Sequence, residues 1–239
     1  RPPFNDIRVR RAAHLAIDRD GLIKAVTFGA GAINPPGGLG LHADSIPLEE
    51  LRKLPGWRQP KDQDIAEAKR LLAEAGYPSG FKAGHVNRGG SGFASRGVFI
   101  KDQLAKIGID VQLSTLEFGS YQVSLLKKDY DTINYGPVPL IEDPDVKVVP
   151  YFRTGATQNF SNFSDPQLDK VLDQQSATAD PVQRAKLVQE AQRRIQDQAP
   201  WSVIYHLMAQ MGAWKEVRGY HPGVGLYNNQ KLDTVWLAP

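Results

Sequence analysis

The feature that most constrains the fold of this chain is a regular alternation of strand and helix patterns in its middle third. Short segments in which apolar and polar residues alternate predict half-buried strands, and the segments between them have the apolar period of helices. The predicted strands are Phe81–Val86, Ile109–Leu113 and Tyr130–Tyr135, and the predicted helices are Ala94–Ile107 and Phe118–Leu125. Strands and helices in this order favour an α/β layer, in which helices pack on a largely parallel sheet.

Acidic residues that precede an apolar run of helical period predict where the other helices begin. Asp6 and Asp18 are candidate N-caps for two short helices at the start of the chain. Apolar residues recur on one face of the first of these helices. They are Val9, Ala12, Ala13 and Ala16.

Further helix starts are predicted later in the chain. Asp64-Ile65-Ala66-Glu67 has the form of a capping box. Three Asp-Pro pairs, which begin at residues 143, 165 and 180, place a capping acid before proline at the first helical position. Beyond the last helix, Trp201–Leu207 is predicted to be a buried strand, and the remaining residues are irregular and aromatic.

Composition excludes several classes of function. The chain has 239 residues, no cysteine and a formal net charge of +3, so disulfides and thiol chemistry are absent. Lys and Arg form no long run, which argues against a nucleic-acid partner. No apolar run is long enough for a membrane span. The five histidines lack metal-site spacing, and we expect no metal ion or other cofactor.

A glycine-rich turn that contains a serine follows the first predicted strand. Gly89-Gly90-Ser91-Gly92-Phe93 fails the G-x-S-x-G pattern of a nucleophile elbow, because Phe stands where the last Gly is required. An α/β hydrolase-like domain that uses Ser91 is the alternative function, but the spacing supplies no Ser–His–acid set, and we expect no catalytic residue. The turn is instead either a plain tight turn or one that directs free amides toward the next helix, where they can hold the negative end of a ligand.

The order of several short motifs resembles one family over nearly the whole chain. The opening segment Phe4–Arg19 is similar to a signature of the extracytoplasmic solute-binding proteins of the dipeptide/oligopeptide ABC importers, which form bacterial extracellular solute-binding protein family 5. In that family the signature opens the second half of the protein. The later motifs that match in order are Ala68–Phe81, Gln103–Val111, Tyr130-Asp131, Asp143-Pro144-Asp145, Asn162, Asp165-Pro166, Ala199-Pro200 and Asp233–Leu237.

The resemblance implies a type II periplasmic binding protein fold, of which this chain would be the C-terminal lobe. Residues 1–207 would form the ligand-binding lobe, and residues 208–239 would return toward an N-terminal lobe that carries the export signal. Such proteins capture a small solute in the cleft between lobes and deliver it to a membrane permease. The implied location is the periplasm, or an extracytoplasmic lipoprotein, and the implied role is binding rather than catalysis.

The resemblance also places the ligand contacts, chiefly in the segment after the third predicted strand. Peptide binders of the family have an Asp where this chain has Leu140, and a carboxylate-binding Arg where it has Asn134. Both differences argue against an ordinary zwitterionic peptide, because a buried ammonium group needs an acidic partner. The predicted ligand-binding residues are Asn134, Tyr135, Gly136, Pro137, Val138 and Leu140, followed by Arg88 and Gly89.

Overall fold

The computed structural model describes residues 1–35, 45–90, 92–137, 143–208, 212–221 and 232–238. The helices in these ranges are α1 (Ile7–Ala16), α2 (Arg19–Val26), α3 (Leu48–Leu51), α4 (Asp62–Glu74), α5 (Phe93–Ala105), α6 (Phe118–Lys127), α7 (Pro144–Lys147), α8 (Val149–Phe152), α9 (Pro166–Ala177) and α10 (Pro181–Gln198). The strands are β1 (Gly31–Ala32), β2 (Phe81–Arg88), β3 (Ile109–Leu116), β4 (Thr132–Ile133), β5 (His206–Leu207), β6 (Val217–Arg218) and β7 (Trp236–Leu237).

The central sheet has β2 in the middle, with β3 and β4 on either side, and both pairings are parallel. The β2–β3 register runs from Phe81 opposite Ile109 to Arg88 opposite Leu116. This arrangement confirms the predicted α/β layer. The strand predicted at Tyr130–Tyr135 is shorter than expected, because only Thr132 and Ile133 pair with β2.

Helices cover both faces of this sheet. Ala83 and Val111 contribute to a core with buried residues of α1, α4 and α5. Val86 and Leu116 pack with Tyr121 of α6 in a separate core. Because successive side chains of a strand point to opposite faces, the two crossover helices lie on opposite sides of the sheet. The carboxyl ends of all three strands are therefore left between the start of α5 and the start of α6.

The first helices form as predicted from their caps. The Asp6 carboxylate accepts a hydrogen bond from the Arg8 backbone N–H, and the Asp18 carboxylate accepts one from the Gly21 N–H. Val9, Ala12 and Ala16 are fully buried, while Ala13 lies at the margin of the same core. No helix in the described ranges is long and apolar enough to cross a membrane.

The capping-box prediction at Asp64 is wrong. Helix α4 begins two residues earlier, at Asp62, and the Asp64 side chain is completely buried. Its oxygens accept hydrogen bonds from the Gly56 N–H at 3.1 Å, from Arg58 Nε at 2.8 Å and from Lys61 Nζ at 2.6 Å. A carboxylate held by three donors from the preceding loop anchors that loop to the helix, so it is not available to cap the helix.

The helices predicted at the three Asp-Pro pairs are confirmed. Each Asp is an N-cap that accepts a backbone N–H, and the helices α7 to α10 enclose a second core. Trp201 joins this core through ring contacts with Phe152, at 4.9 Å between centroids, and with Tyr151. The buried strand predicted from Trp201 to Leu207 is wrong in extent, because only His206 and Leu207 form a strand and Leu207 is 67% exposed.

The amino ends of β2 and β3 meet at a contact between two glycines. Gly80 has φ +76° and Gly108 has φ +90°, both in the left-handed region that disfavours other residues. A Cβ added to Gly80 would lie 1.8 Å from the Gly108 carbonyl oxygen, which itself accepts the Phe81 N–H at 3.2 Å. The ladder can start here only because Gly80 has no side chain.

We therefore expect Gly80→Ala to destabilise the chain by at least about 3 kcal/mol, since strained φ and a backbone clash act together. Gly76→Ala is the matched control, because Gly76 also has positive φ but faces open space. The control substitution should lower the free energy of unfolding by only about 1–2 kcal/mol. Urea unfolding of both variants measures the difference, and equal losses would show that the close approach to Gly108 is unimportant.

Candidate functional site

The candidate site lies at the carboxyl edge of the central sheet. Strand β2 ends at Arg88, β3 ends at Leu116 and β4 ends at Ile133. Because the strands are parallel, all three ends lie at the same edge of the sheet. Asn134 and Tyr135 follow β4 directly. In open α/β sheets, ligands bind in the crevice outside the carboxyl ends of the strands. Six of the eight predicted ligand-binding residues lie at this edge.

Arg88 is the last residue of β2 and carries a charge at the sheet edge. Its guanidinium lies over the ring of Phe93 at 4.7 Å and over the ring of Phe118 at 4.6 Å. These rings belong to the first residues of α5 and α6, which flank the sheet edge. A guanidinium that stacks on ring faces keeps its N–H edges available for an in-plane acceptor. Within the described residues, no carboxylate forms an ion pair with Arg88, and its buried Nε has no hydrogen-bond partner.

Asn134 is part of a buried polar network below the edge. Its Nδ2 donates to Asn87 Oδ1 at 2.7 Å, its backbone N–H donates to the Val86 carbonyl at 3.0 Å, and its carbonyl accepts the Tyr121 hydroxyl at 2.7 Å. Burial raises the pKa of Tyr121 to about 12, so this hydroxyl remains a donor at neutral pH. Asn134 is only 6% exposed. Its side chain therefore binds Asn87 in the interior and supports the sheet edge from within the fold.

Tyr135 lies in an aromatic cluster that fixes the start of the segment after β4. Its ring centroid is 5.1 Å from that of Phe160, 5.6 Å from that of Trp201 and 6.1 Å from that of Tyr151. Burial beside these rings raises the pKa of Tyr135 above its usual range. Gly136 is exposed in the next position, with open space where a side chain would be.

Of the remaining predicted residues, Gly89 and Pro137 lie within the described ranges and two others do not. The Gly89 N–H donates to the Leu116 carbonyl at 2.7 Å, so this amide extends the β2–β3 ladder and is not a free donor. Pro137 is half-buried beyond Gly136. Val138 and Leu140, together with Ser91 of the alternative hydrolase, lie outside the described residues. Whether the eight residues bind a ligand stays a prediction.

Sequence reasoning missed the aromatic residues that hold Arg88 and also missed Arg96. The Arg96 guanidinium lies 4.3 Å from the ring centroid of Phe93 and 5.0 Å from that of Tyr205. Phe93 and Arg96 are three residues apart on α5, a spacing at which helical side chains meet. That spacing was a usable signal in the sequence. The approach of Phe118 and Tyr205 from other elements was not.

A second cleft lies away from this edge, between α7, α9 and α10. It is open, has a volume of about 560 Å³ and is lined by Asp143, Asp145, Ser176 and Arg184 among others. Arg184 forms ion pairs with Asp143 at 2.8 Å and with Asp145 at 3.4 Å. Arg184 offsets only one of these two carboxylates, so the cleft is acidic and suits an anionic solute less than the sheet edge does. The described ranges contain no group of three or more acidic or histidine side chains able to hold a metal ion.

His85 lies on β2, two residues before Asn87, and is buried as a neutral ring. Its Nδ1 is 2.8 Å from Thr132 Oγ1, and that hydroxyl donates to the Gly84 carbonyl at 3.1 Å. Nδ1 must therefore carry the proton of the neutral imidazole. Burial lowers the pKa of His85 to about 4. His85 is 3% exposed, so protonation of its ring in the folded state would bury a positive charge.

Comparisons with known proteins agree on one family. The model described as "Bacterial extracellular solute-binding proteins, family 5 Middle" matches residues 1–159. The dipeptide-binding protein of Escherichia coli is 30% identical over 230 residues, which cover 91% of this chain and 41% of that protein. Heme-binding protein A of Haemophilus influenzae is 29% identical over 228 residues, which cover 91% of this chain and 40% of that protein.

A solved structure supports the same conclusion. The periplasmic binding protein DppA of Helicobacter pylori, in complex with the peptide STSA, superposes with a TM-score of 0.77 at 26% identity, over 100% of this chain and 45% of that protein. This likeness confirms the predicted type II periplasmic binding protein fold. The chain spans less than half the length of these relatives.

The network below the site gives a stability prediction. Asn134→Ala removes the amide that binds Asn87 Oδ1, and a buried group left without its partner costs about 1–3 kcal/mol. Asn87→Ala should cost a similar amount. The double variant should lose less than the sum of the two, by about 1 kcal/mol, because the second change removes a group that is already unpaired. Chemical unfolding measures all three, and strictly additive losses would contradict direct coupling.

The buried ring gives a prediction for pH. The pKa of His85 is about 4 in the fold and near 6.5 when unfolded, so the unfolded chain binds the proton first as pH falls. The contribution of neutral His85 to the free energy of unfolding is fully present above pH 6.5. It is lost as the pH falls toward 4, and the total loss is about 3 kcal/mol.

His85→Asn keeps a donor toward Thr132 and removes the titrating ring. Its unfolding free energy should therefore decrease less than that of the parent chain when pH falls from about 7 to about 4.5. His221→Asn is the control, because His221 is exposed. The same pH dependence in the parent and in His85→Asn would refute this assignment.

Proposed function

This chain belongs to family 5 of the bacterial extracellular solute-binding proteins, and we propose that it forms one lobe of a two-lobed importer component. In this proposal the lobe captures a small solute at the carboxyl edge of its sheet, and the assembled protein delivers the solute to the membrane permease of an ABC importer. The observation that carries the proposal is the Arg88 guanidinium, which lies between Phe93 and Phe118 at this edge and forms no ion pair with any described residue.

The chemistry of Arg88 favours an anionic group on the solute. A guanidinium presents parallel N–H donors that match the oxygens of a carboxylate or phosphate. The buried Nε has no partner within the described residues, and a solute oxygen in the plane of the group would satisfy it. Asn134, Tyr135, Gly136, Pro137, Val138 and Leu140 are proposed to form the adjacent wall, with Arg88 and Gly89 at the strand end.

We propose residues 1–207 as the ligand-binding lobe and residues 208–239 as a segment that returns to the N-terminal lobe. The apolar surface of the last described residues supports this division. Trp214 is 84% exposed and Leu237 is 72% exposed, although both are large and apolar. Exposed patches of this kind mark contact surfaces. The partner in this proposal is the N-terminal lobe of the same protein.

The family consists of substrate-binding proteins, and the comparisons give no support to the alternative of a hydrolase that uses Ser91. Related proteins include periplasmic ones by name, such as that of Helicobacter pylori. We therefore propose a non-enzymatic role in the periplasm, or in a membrane-anchored lipoprotein outside the cytoplasm. The solute class is left to experiment, since Asn134 replaces the arginine of the family's peptide binders.

A thermal-shift screen of the two-lobed protein that contains this chain tests the proposal. The solutes are peptides, sugars, opine-like carboxylates and metal chelates. We expect at least one anionic solute to raise the melting temperature by several degrees, because a ligand stabilises only the folded state. Residues 1–239 alone should bind that solute feebly, since half of the cleft is absent.

Arg88→Gln should abolish most of this shift while the unliganded protein remains folded. Lys82→Gln is the matched control, because Lys82 is exposed at the opposite end of the same strand. Failure of every solute class to stabilise the two-lobed parent would refute the proposed function. A dominant response to neutral sugars that survives Arg88→Gln would refute the role of Arg88.

A further inference from the structure

A second guanidinium, that of Arg96, contacts the same aromatic ring as Arg88. Arg88 and Arg96 both lie over the ring of Phe93, at 4.7 Å and 4.3 Å from its centroid. Phe118 contacts Arg88 and Tyr205 contacts Arg96, so each cation lies between two rings. The two cations and the rings that contact them therefore come from β2, α5, α6 and the loop residue Tyr205.

Neither cation has a counter-charge among the described residues. Several other arginines of the chain pair with carboxylates, as Arg52 does with Asp20 and Arg194 with Asp165. No such ion pair forms at Arg88 or Arg96, and the Nε atoms of both are buried without a hydrogen-bond partner. Within the described residues, their positive charge is therefore not neutralised by a direct ion pair.

The position of Arg96 on its helix adds to this imbalance. Arg96 is the fourth residue of α5, close to the amino end, where the helix dipole is positive. The first turn of α5 contains no acidic residue, and the N-cap Gly92 offers no side-chain acceptor. A cation is unfavourable at this end of a helix, and a second cation nearby makes it more so. Charges held against such forces are typical of binding sites.

We propose that Arg96 determines specificity at this site, by selecting solutes whose anionic end carries two negative charges. The inference rests on the proposed function and deepens it. Two guanidinium groups offer parallel N–H donors to several oxygens at once, as a phosphate or a dicarboxylate requires. A singly charged or neutral solute would leave one of the cations uncompensated.

The test is thermal unfolding of the chain at constant ionic strength, with sodium chloride replaced by inorganic phosphate or by succinate. Arg96→Gln is the variant. Lys101→Gln is the control, because Lys101 is exposed on the same helix and its replacement removes the same charge. The two anions separate phosphate-like from dicarboxylate solutes.

We expect at least one of the two dianions, in the millimolar range, to raise the melting temperature of the parent and of Lys101→Gln. The rise should be about 3–6 °C at ten times the dissociation constant. Arg96→Gln should lose most of this rise. No rise beyond chloride in the parent, or an equal rise in all three proteins, would overturn the inference. The solute screen of the two-lobed protein would be unaffected by that result, so the two proposals can fail separately.

Discussion

The parallel pairing of β2 with both β3 and β4 is the interaction on which the rest of the structure depends. Parallel strands require crossover connections, and those connections are α5 and α6. Since β2 is central, the two helices cover opposite faces of the sheet. The first residue of each helix lies at the carboxyl edge of the sheet. Phe93 and Phe118 are these first residues. The ring contacts of Arg88 with Phe93 and Phe118 are thus a direct consequence of strand order.

Local signals in the sequence predicted most of the elements, because caps and apolar period act within a few residues. Asp18 and Asp165 cap the helices expected of them. The predictions that were wrong depended on contacts from far along the chain or from a loop. Asp64 binds donors of the preceding loop, and Trp201 packs into a helical core that no strand pattern could reveal. Periodicity describes which face is apolar, but it does not describe what that face meets.

The same limit applies to the candidate site. The sequence placed Arg88 and Asn134 at strand ends, and strand order then brings them to one edge of the sheet. It did not show that Asn134 is committed to Asn87 and Tyr121, or that the Gly89 amide is used by the ladder. Both facts depend on the register between neighbouring strands. A one-residue change in register would have reversed which side chains face the helices.

The polar groups at this edge divide into two sets with different physical roles. Asn87, Asn134 and Tyr121 satisfy one another below the surface, so they fix the geometry and leave little for a ligand to change. Arg88 and Arg96 contact aromatic rings, and no carboxylate of the described residues forms an ion pair with either of them. In the proposed function, an anion would bind with little reorganisation of the lobe, because ring contacts already place both guanidinium groups. The satisfied lower layer and the guanidinium groups above it are suited to form one wall of the proposed cleft.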